Sequence, residues 1–279
     1  MLRRFAQLDV FASGGFSGNP LAVVIDGAGL STEEMARFAQ WTDLSETTFL
    51  LPPTHPDADY LVRIFTPSEE LPFAGHPTLG SCQAWLDAGG RSSVDGQIIQ
   101  QCAAGLVPIR VVGDELAFAA PPLIRSGPID PPLLADVCLA VGVDPDEVVD
   151  SAWADNGPGW LVLLLSSAAR VFELDPDVST LRHGAVGIAG FHPRAAPAAI
   201  EVRGFFKGPL GEHREDPVTG SLNASIAQWL LASGRISAPY VASQGTRLGR
   251  AGRVQVSVAD EEIWVGGVAA SVVSGSVEL

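Results

Sequence analysis

Glu46 stands in Leu44-Ser45-Glu46-Thr47-Thr48-Phe49-Leu50-Leu51, at the mouth of an apolar run. A carboxylate there is either a solvated edge residue or a desolvated acid/base. Partial burial would raise its pKa toward working pH, as general acid–base catalysis requires. Two loops carry further candidates: Phe73-Ala74-Gly75-His76-Pro77-Thr78 and Glu215-Asp216-Pro217-Val218-Thr219-Gly220-Ser221. Each places glycine and a small hydroxyl residue where a helix is expected to start. Free backbone N–H groups at a helix start form an anion site without formal charge. The competing reading is capping by Thr and Ser. His76 at such a start would have its imidazolium disfavoured by the helix dipole, so a neutral imidazole able to give or take a proton is feasible. Asp216 reads either as a carboxylate cap or as a second site carboxylate.

Several other chemistries find no support. There is no Gly-x-Gly-x-x-Gly loop opening a helix, no P-loop, and no Gly-x-Ser-x-Gly elbow. No His/Cys/carboxylate group has metal-ligand spacing; His183 and His192 lie nine residues apart in a loop-rich stretch. Cys82, Cys102 and Cys138 occur singly, which argues against a disulfide framework and for a reducing, cytoplasmic setting. The charge balance is 17 Lys+Arg against 32 Asp+Glu, a net −15, which makes nucleic acid an unfavourable partner. The same field opposes anionic substrates, so an anion site has to be made locally. The longest apolar run, Trp160 to Leu165, is far short of the roughly 20 residues that span a bilayer, so no membrane partner is expected.

The elements that must position these residues fall into two halves. In the first, strands are expected at Phe5–Val10, Leu21–Ile25, Thr47–Leu51 and Tyr60–Thr66, with a helix opened by Ser31 and a Glu34 capping box. The Pro72–Pro77 loop leads into a second helix that stops near Gly89-Gly90, and strands follow at 97–103, 106–112 and 115–119. Pro121, Pro122, Pro128, Pro131 and Pro132 read as a linker. The second half has a helix at Pro132–Val141 and strands at Trp160–Leu165, Val186–Gly190 and Ile200–Phe206. The loop Gly211–Gly220 then leads into a helix, Ser221–Ala232, and strands close the chain at Tyr240–Ser243, Arg253–Val258 and Glu262–Ala269. Shifting the first long helix by 144 residues aligns Ser81 with Ser225, Trp85 with Trp229 and Leu86 with Leu230. Ala88, Gly90 and Arg91 likewise meet Ala232, Gly234 and Arg235. This indicates an internal duplication. Both helices are apolar over most of their circumference, which suggests a helix buried inside a curved sheet in each half, with a ligand cleft where the halves meet.

These motifs in this order resemble the PhzF-like isomerase family of phenazine biosynthesis. The resemblance is carried by Asp9-Val10-Phe11, Gly18-Asn19-Pro20-Leu21-Ala22-Val23-Val24, Ser45-Glu46-Thr47-Thr48-Phe49, Phe73 to Gly80 and Glu215 to Ser221. It implies an α+β, diaminopimelate-epimerase-like fold: two pseudo-symmetric domains, each a curved, mostly antiparallel sheet or barrel around a central helix. The expected domains are 1–120, completed by 268–279, and 130–267. The resemblance implies a cofactor-independent proton shift on a small carboxylated, possibly cyclic or amino-acid-derived substrate, by a homodimer. Glu46 matches the family's acid/base; His76 and Asp216 match its other polar site residues. Gly75, Gly220 and Ser221 match the loops that contact the substrate carboxylate, and Asn19, Ser45, Thr78 and Thr219 are further candidates for substrate binding. Related epimerases use one cysteine from each half, and residues 72–80 and 213–223 contain none. His213 and Arg214 depart from the plainest family pattern and would add a cation. Two rival expectations are a non-catalytic small-molecule binding protein and a hydrolase using Ser221 with His76.

Overall fold

The computed structural model describes residues 1–92, 94, 96–208 and 213–279. The chain divides into two compact units: Met1–Ala119 with Gly266–Leu279, and Ala120–Val265.

The first unit contains β1 (Leu2–Val10), β2 (Asn19–Val24), α1 (Thr32–Thr42), β3 (Thr47–Leu51), β4 (Tyr60–Phe65), β5 (Glu70–Leu71), α2 (Gly75–Asp87), β6 (Gln97–Cys102), β7 (Gly105–Val112) and β8 (Glu115–Ala119). The second contains β9 (Arg125–Gly127), α3 (Pro131–Val141), β10 (Val148–Asp155), β11 (Trp160–Leu165), α4 (Ala168–Glu173), β12 (Ala185–Phe191), β13 (Ile200–Lys207), β14 (His213–Asp216), α5 (Gly220–Ala232), β15 (Tyr240–Gln244) and β16 (Gly252–Ala259). The last strand, β17 (Glu262–Glu278), returns to the first unit from Gly266 onward.

Pairing follows one plan twice. In the first unit β1 is antiparallel to β2, β2 parallel to β3, β3 antiparallel to β4, β4 parallel to β6, and β6 antiparallel to β7. In the second, β10 is antiparallel to β11, β11 parallel to β12, β12 antiparallel to β13, β13 parallel to β15, and β15 antiparallel to β16. Each parallel step is bridged by a helix, as parallel neighbours require: α1 and α4 cross the first, α2 and α5 the second. In the first unit β8 pairs with β7 and β17, and β17 with β1, so the sheet closes on itself. A closed sheet has no free edge, and its interior is filled by side chains. The interior helices are α2 and α5, both buried over most of their length. The α+β architecture of two barrels around central helices is thus present.

The duplication is real, but its register is 145 rather than 144. Gly75 opens α2 where Gly220 opens α5, and left-handed Gly89 (φ 92°) follows α2 where Gly234 (φ 67°) follows α5. The side-chain identities lie one residue out of register with the helix ends and positive-φ glycines, which follow the backbone.

Two side-chain devices are also repeated. Asp9, near the end of β1, accepts the N–H of Ser17 (2.7 Å) and of Gly18 (2.9 Å). Asp155, ending β10, accepts those of Gly157 (2.7 Å) and Gly159 (2.6 Å). Gly18 has no room for a side chain: a Cβ would lie 2.1 Å from the Val10 carbonyl oxygen. In the β4–β5 hairpin, Arg63 forks onto Glu70 and lies over Phe65; in β13–β14, Arg203 forks onto Glu215 and lies over Phe205. The linker and loop readings need correction here. Residues 121–132 include strand β9, the expected 211–220 loop includes strand β14, and β10 is a strand beyond those expected.

Candidate active site

Ser31 caps α1 through both bonds of its capping box, Asp43 ends the helix at left-handed φ 53°, and Leu44-Ser45 carry the chain to Glu46, the residue before β3. Ser45 is half-buried. β3 is fastened to the interior helix by Ser81 Oγ, which donates to Thr48 Oγ1 at 2.8 Å. That places Glu46 beside the first turn of α2, with Glu46 Oε2 3.4 Å from His76 Nδ1. The Glu46 side chain is 16% exposed and that of His76 5%. Glu46 is therefore not a solvated edge carboxylate.

Burial lowers the His76 pKa to about 3, against the opposing effect of a bond with the Pro20 backbone. Desolvation keeps this imidazole neutral. At neutral pH the Glu46–His76 contact is consequently between a carboxyl group and a neutral ring, not an ion pair. Asn19, fully buried at the start of β2, adjoins Pro20 in the same unit. Thr78 is fully buried, and its Oγ1 accepts from Gln100 Nε2 (2.9 Å), whose Oε1 accepts from Tyr60 Oη (3.0 Å).

The helix starts decide between capping and open N–H groups. Ser31 and Ser167 cap α1 and α4. The α2 N-cap is Ala74, which has no acceptor, and α5 has no side-chain cap either. Helix geometry leaves the N–H groups of Gly75 and His76, and of Gly220, Ser221 and Leu222, without intrahelical acceptors. The Thr219 hydroxyl, which could cap α5, instead donates to Asp216 Oδ2 at 2.6 Å. Asp216 is buried, at the end of β14. Ser221 Oγ accepts from the Trp160 indole N–H (3.1 Å), and its carbonyl accepts from Asn156 Nδ2 (3.0 Å). An indole N–H cannot take a proton, so this contact does not activate Ser221 as a nucleophile.

Register shows that the two units do not carry the same chemistry. Thr47 pairs with Phe65 and Val186 with Phe205, so Glu46 corresponds to Ala185. Leu71 pairs with Ile64 and Asp216 with Gly204, so Asp216 corresponds to Leu71. His76 corresponds to Ser221, each the second residue of its helix. The thiols do not substitute: Cys82 is fully buried and its pKa is pushed up to about 12 by burial. Among the described residues, no three His, Cys, Asp or Glu side chains are grouped to hold a metal ion, and no helix is long and apolar enough to cross a membrane. Residues 209–212, part of the segment singled out around His213 and Arg214, lie outside the described residues; Arg214 is exposed. Sequence reasoning missed Gln100, Trp160, Asn156 and Gln244, because polar residues inside strands and hairpins show no local signal of what they bond.

Known proteins show the same plan. The sequence profile of the phenazine biosynthesis-like proteins (PhzC-PhzF) matches residues 8–275. Antisense-enhancing sequence 1 of Schizosaccharomyces pombe is 36% identical, with 97% of each chain covered. Trans-2,3-dihydro-3-hydroxyanthranilate isomerase of Pseudomonas chlororaphis is 32% identical, covering 89% of this chain and 88% of that one. A PhzF-family crystal structure from Enterococcus faecalis superposes with a TM-score of 0.81 at 24% identity over the whole of both chains, a likeness of fold. The chain belongs to the phenazine biosynthesis-like (PhzF) family and is an isomerase.

Proposed function

We propose that this isomerase moves a proton between carbons of a small carboxylated substrate, with Glu46 as the acid/base and no cofactor. The observation that carries the reading is the Glu46 carboxyl group, largely buried and 3.4 Å from a neutral imidazole. As carboxylate, Glu46 takes a carbon-bound proton, which exchanges with solvent while it is held on the carboxyl group; as carboxylic acid, Glu46 delivers a proton at another carbon of the conjugated system. No net proton is consumed. Neutral His76 does not neutralise the base by ion pairing, and it can hand a proton on. The open first-turn N–H groups suit a substrate carboxylate despite the acidic chain, and they stabilise negative charge as it develops. Asp216, with Oδ2 engaged by Thr219, binds substrate and relays protons. Three free, buried thiols fit a reducing, cytoplasmic setting.

A relative's name supplies the test compound, trans-2,3-dihydro-3-hydroxyanthranilate, a carboxylated ring. Wild-type protein is expected to isomerise it or a close analogue. Glu46→Gln is expected to lower kcat by about 10²–10⁴-fold with folding intact. A Glu46→Gln variant with wild-type kcat contradicts the assignment. Binding by wild-type protein without turnover across carboxylated ring analogues favours a binding protein instead.

A further inference from the structure

We propose that Gln244 is a positioning residue that sets the direction of the hydrogen-bond chain ending on Asp216, so that Asp216 exchanges protons through Oδ1 rather than Oδ2. The proposal rests on the reading of Asp216 as part of the reacting set.

Gln244 is fully buried at the end of β15. Its Oε1 accepts the Thr219 backbone N–H (3.0 Å) and Asn223 Nδ2 (2.8 Å). Its Nε2 donates to the Asp216 carbonyl oxygen (3.1 Å) and to Thr219 Oγ1 (2.8 Å). The orientation of the amide follows from chemistry. A backbone N–H can only donate and a backbone carbonyl can only accept, so the oxygen must face Thr219 N and the nitrogen must face Asp216 O. Thr219 Oγ1 therefore receives a hydrogen from Gln244, and its own proton is left for Asp216 Oδ2, 2.6 Å away. That length suits a hydroxyl donating to a carboxylate. An oxygen that already accepts this short bond is the weaker base of the two, so protonation is directed to the other carboxylate oxygen.

The surroundings are fitted to this chain. At Gly204, across the ladder from Asp216, a Cβ would come within 3.0 Å of Thr219 Oγ1 and 3.4 Å of Gln244 Nε2. Asn223, which also donates to the Thr219 carbonyl (2.9 Å), completes the bonding of the Gln244 oxygen. The first unit repeats the aspartate clamp and the Arg–Glu fork, which serve the fold. It does not repeat this network: Leu71 stands in the place of Asp216 and Ala74 in that of Thr219. A device present only in the copy that holds the carboxylate serves that carboxylate.

Gln244→Glu keeps the shape and the Oε1 acceptor while replacing the donor by an acceptor. In wild-type protein, the Thr219 hydroxyl proton is expected as a slowly exchanging NMR signal. In Gln244→Glu it should be lost, while the Thr219 amide stays protected from hydrogen exchange. Turnover of trans-2,3-dihydro-3-hydroxyanthranilate is expected to show kcat lowered about 10²-fold, as for a misplaced reacting group. KM should stay within about threefold, because the contact matters in the reacting state. Thr219→Val should lower kcat alike, and the double variant no further, since both act through one proton. Retention of the hydroxyl signal in Gln244→Glu, additive losses in the double variant, or wild-type kcat in either single variant overturns the proposal. If wild-type protein turns over no carboxylated ring substrate, the proposed proton shift on such a substrate fails, and the hydroxyl signal still decides the direction of the chain.

Discussion

The β4–β5 and β13–β14 hairpins hold the same fork in different surroundings. Arg63 reaches Glu70 through Nε (2.7 Å) and Nη2 (2.6 Å); Arg203 reaches Glu215 through Nε (2.9 Å) and Nη2 (2.7 Å). The first pair is partly in water, with side chains 24% and 33% exposed, and adds a bond to Thr32 Oγ1. The second is 5% and 11% exposed, and Arg203 Nη1 also donates to the carbonyls of Val171 and Leu174. Arg203 thus ties α4 to the strand pair that ends in Asp216. Duplication kept the device, and divergence buried the copy on the side that carries Asp216 and Thr219. The other copy stayed near solvent, in the unit whose candidate carboxylate, Glu46, immediately precedes a different strand, β3. A buried pair contributes little net stability, but removing one partner strands the other charge. An exposed pair costs little to lose.

The largest expected effect follows from that contrast. Arg203→Ala should lower unfolding stability by about 3–5 kcal/mol in a denaturant titration, because Glu215 is left buried and uncompensated. A loss of similar size in Arg63→Ala would erase the distinction; about 1 kcal/mol or less is expected there.

The second prediction concerns His76, whose counterpart is Ser221. Its folded pKa of about 3 lies below the ordinary 6.5. On acidification the unfolded chain binds the proton first. The stability contributed by the neutral ring is therefore present in full above pH 6.5 and is lost as pH falls toward 3. The slope is about 1.4 kcal/mol per pH unit in that window. Unfolding followed from pH 7 to pH 4 should show this slope flattened in His76→Asn. An unchanged slope would mean the ring is not held neutral.

The smallest effect is a null one. Buried Cys82, with its thiol pKa near 12, should resist alkylation in the native state, so iodoacetamide should leave turnover unchanged. Inactivation with modification at Cys82 would reopen thiol chemistry.

Much of this was legible where the signal is local. The Ser31–Glu34 capping box, the apolar run Trp160–Leu165 and the stop at Gly234 are set by neighbouring residues, and each is found. What could not be read depends on distant partners. β14 is His-Arg-Glu-Asp, without an apolar pattern, and is a strand only because β13 supplies its register. β10 carries Asp150 and Ser151 inside it, which breaks the alternation. β17 runs on past Ala269 through exposed small residues because β1 pairs with it as far as Glu278. In the site, Glu46 and His76 were singled out from their motifs, and their contact depends on β3 lying against α2. Gln244 has no motif at all; its four bonds go to three residues, Asp216, Thr219 and Asn223, that lie 21 to 28 positions away in the chain.

The proposed reading makes Glu46, whose counterpart in the second unit is Ala185, the group that takes the proton from carbon. The most direct test is turnover in deuterated water, with deuterium at carbon read by NMR in product and recovered substrate. Wild-type protein should place solvent deuterium at the carbon that gains the proton, and Glu46→Gln should place none above the uncatalysed background. Carbon deuteration by Glu46→Gln at the wild-type rate would contradict the account.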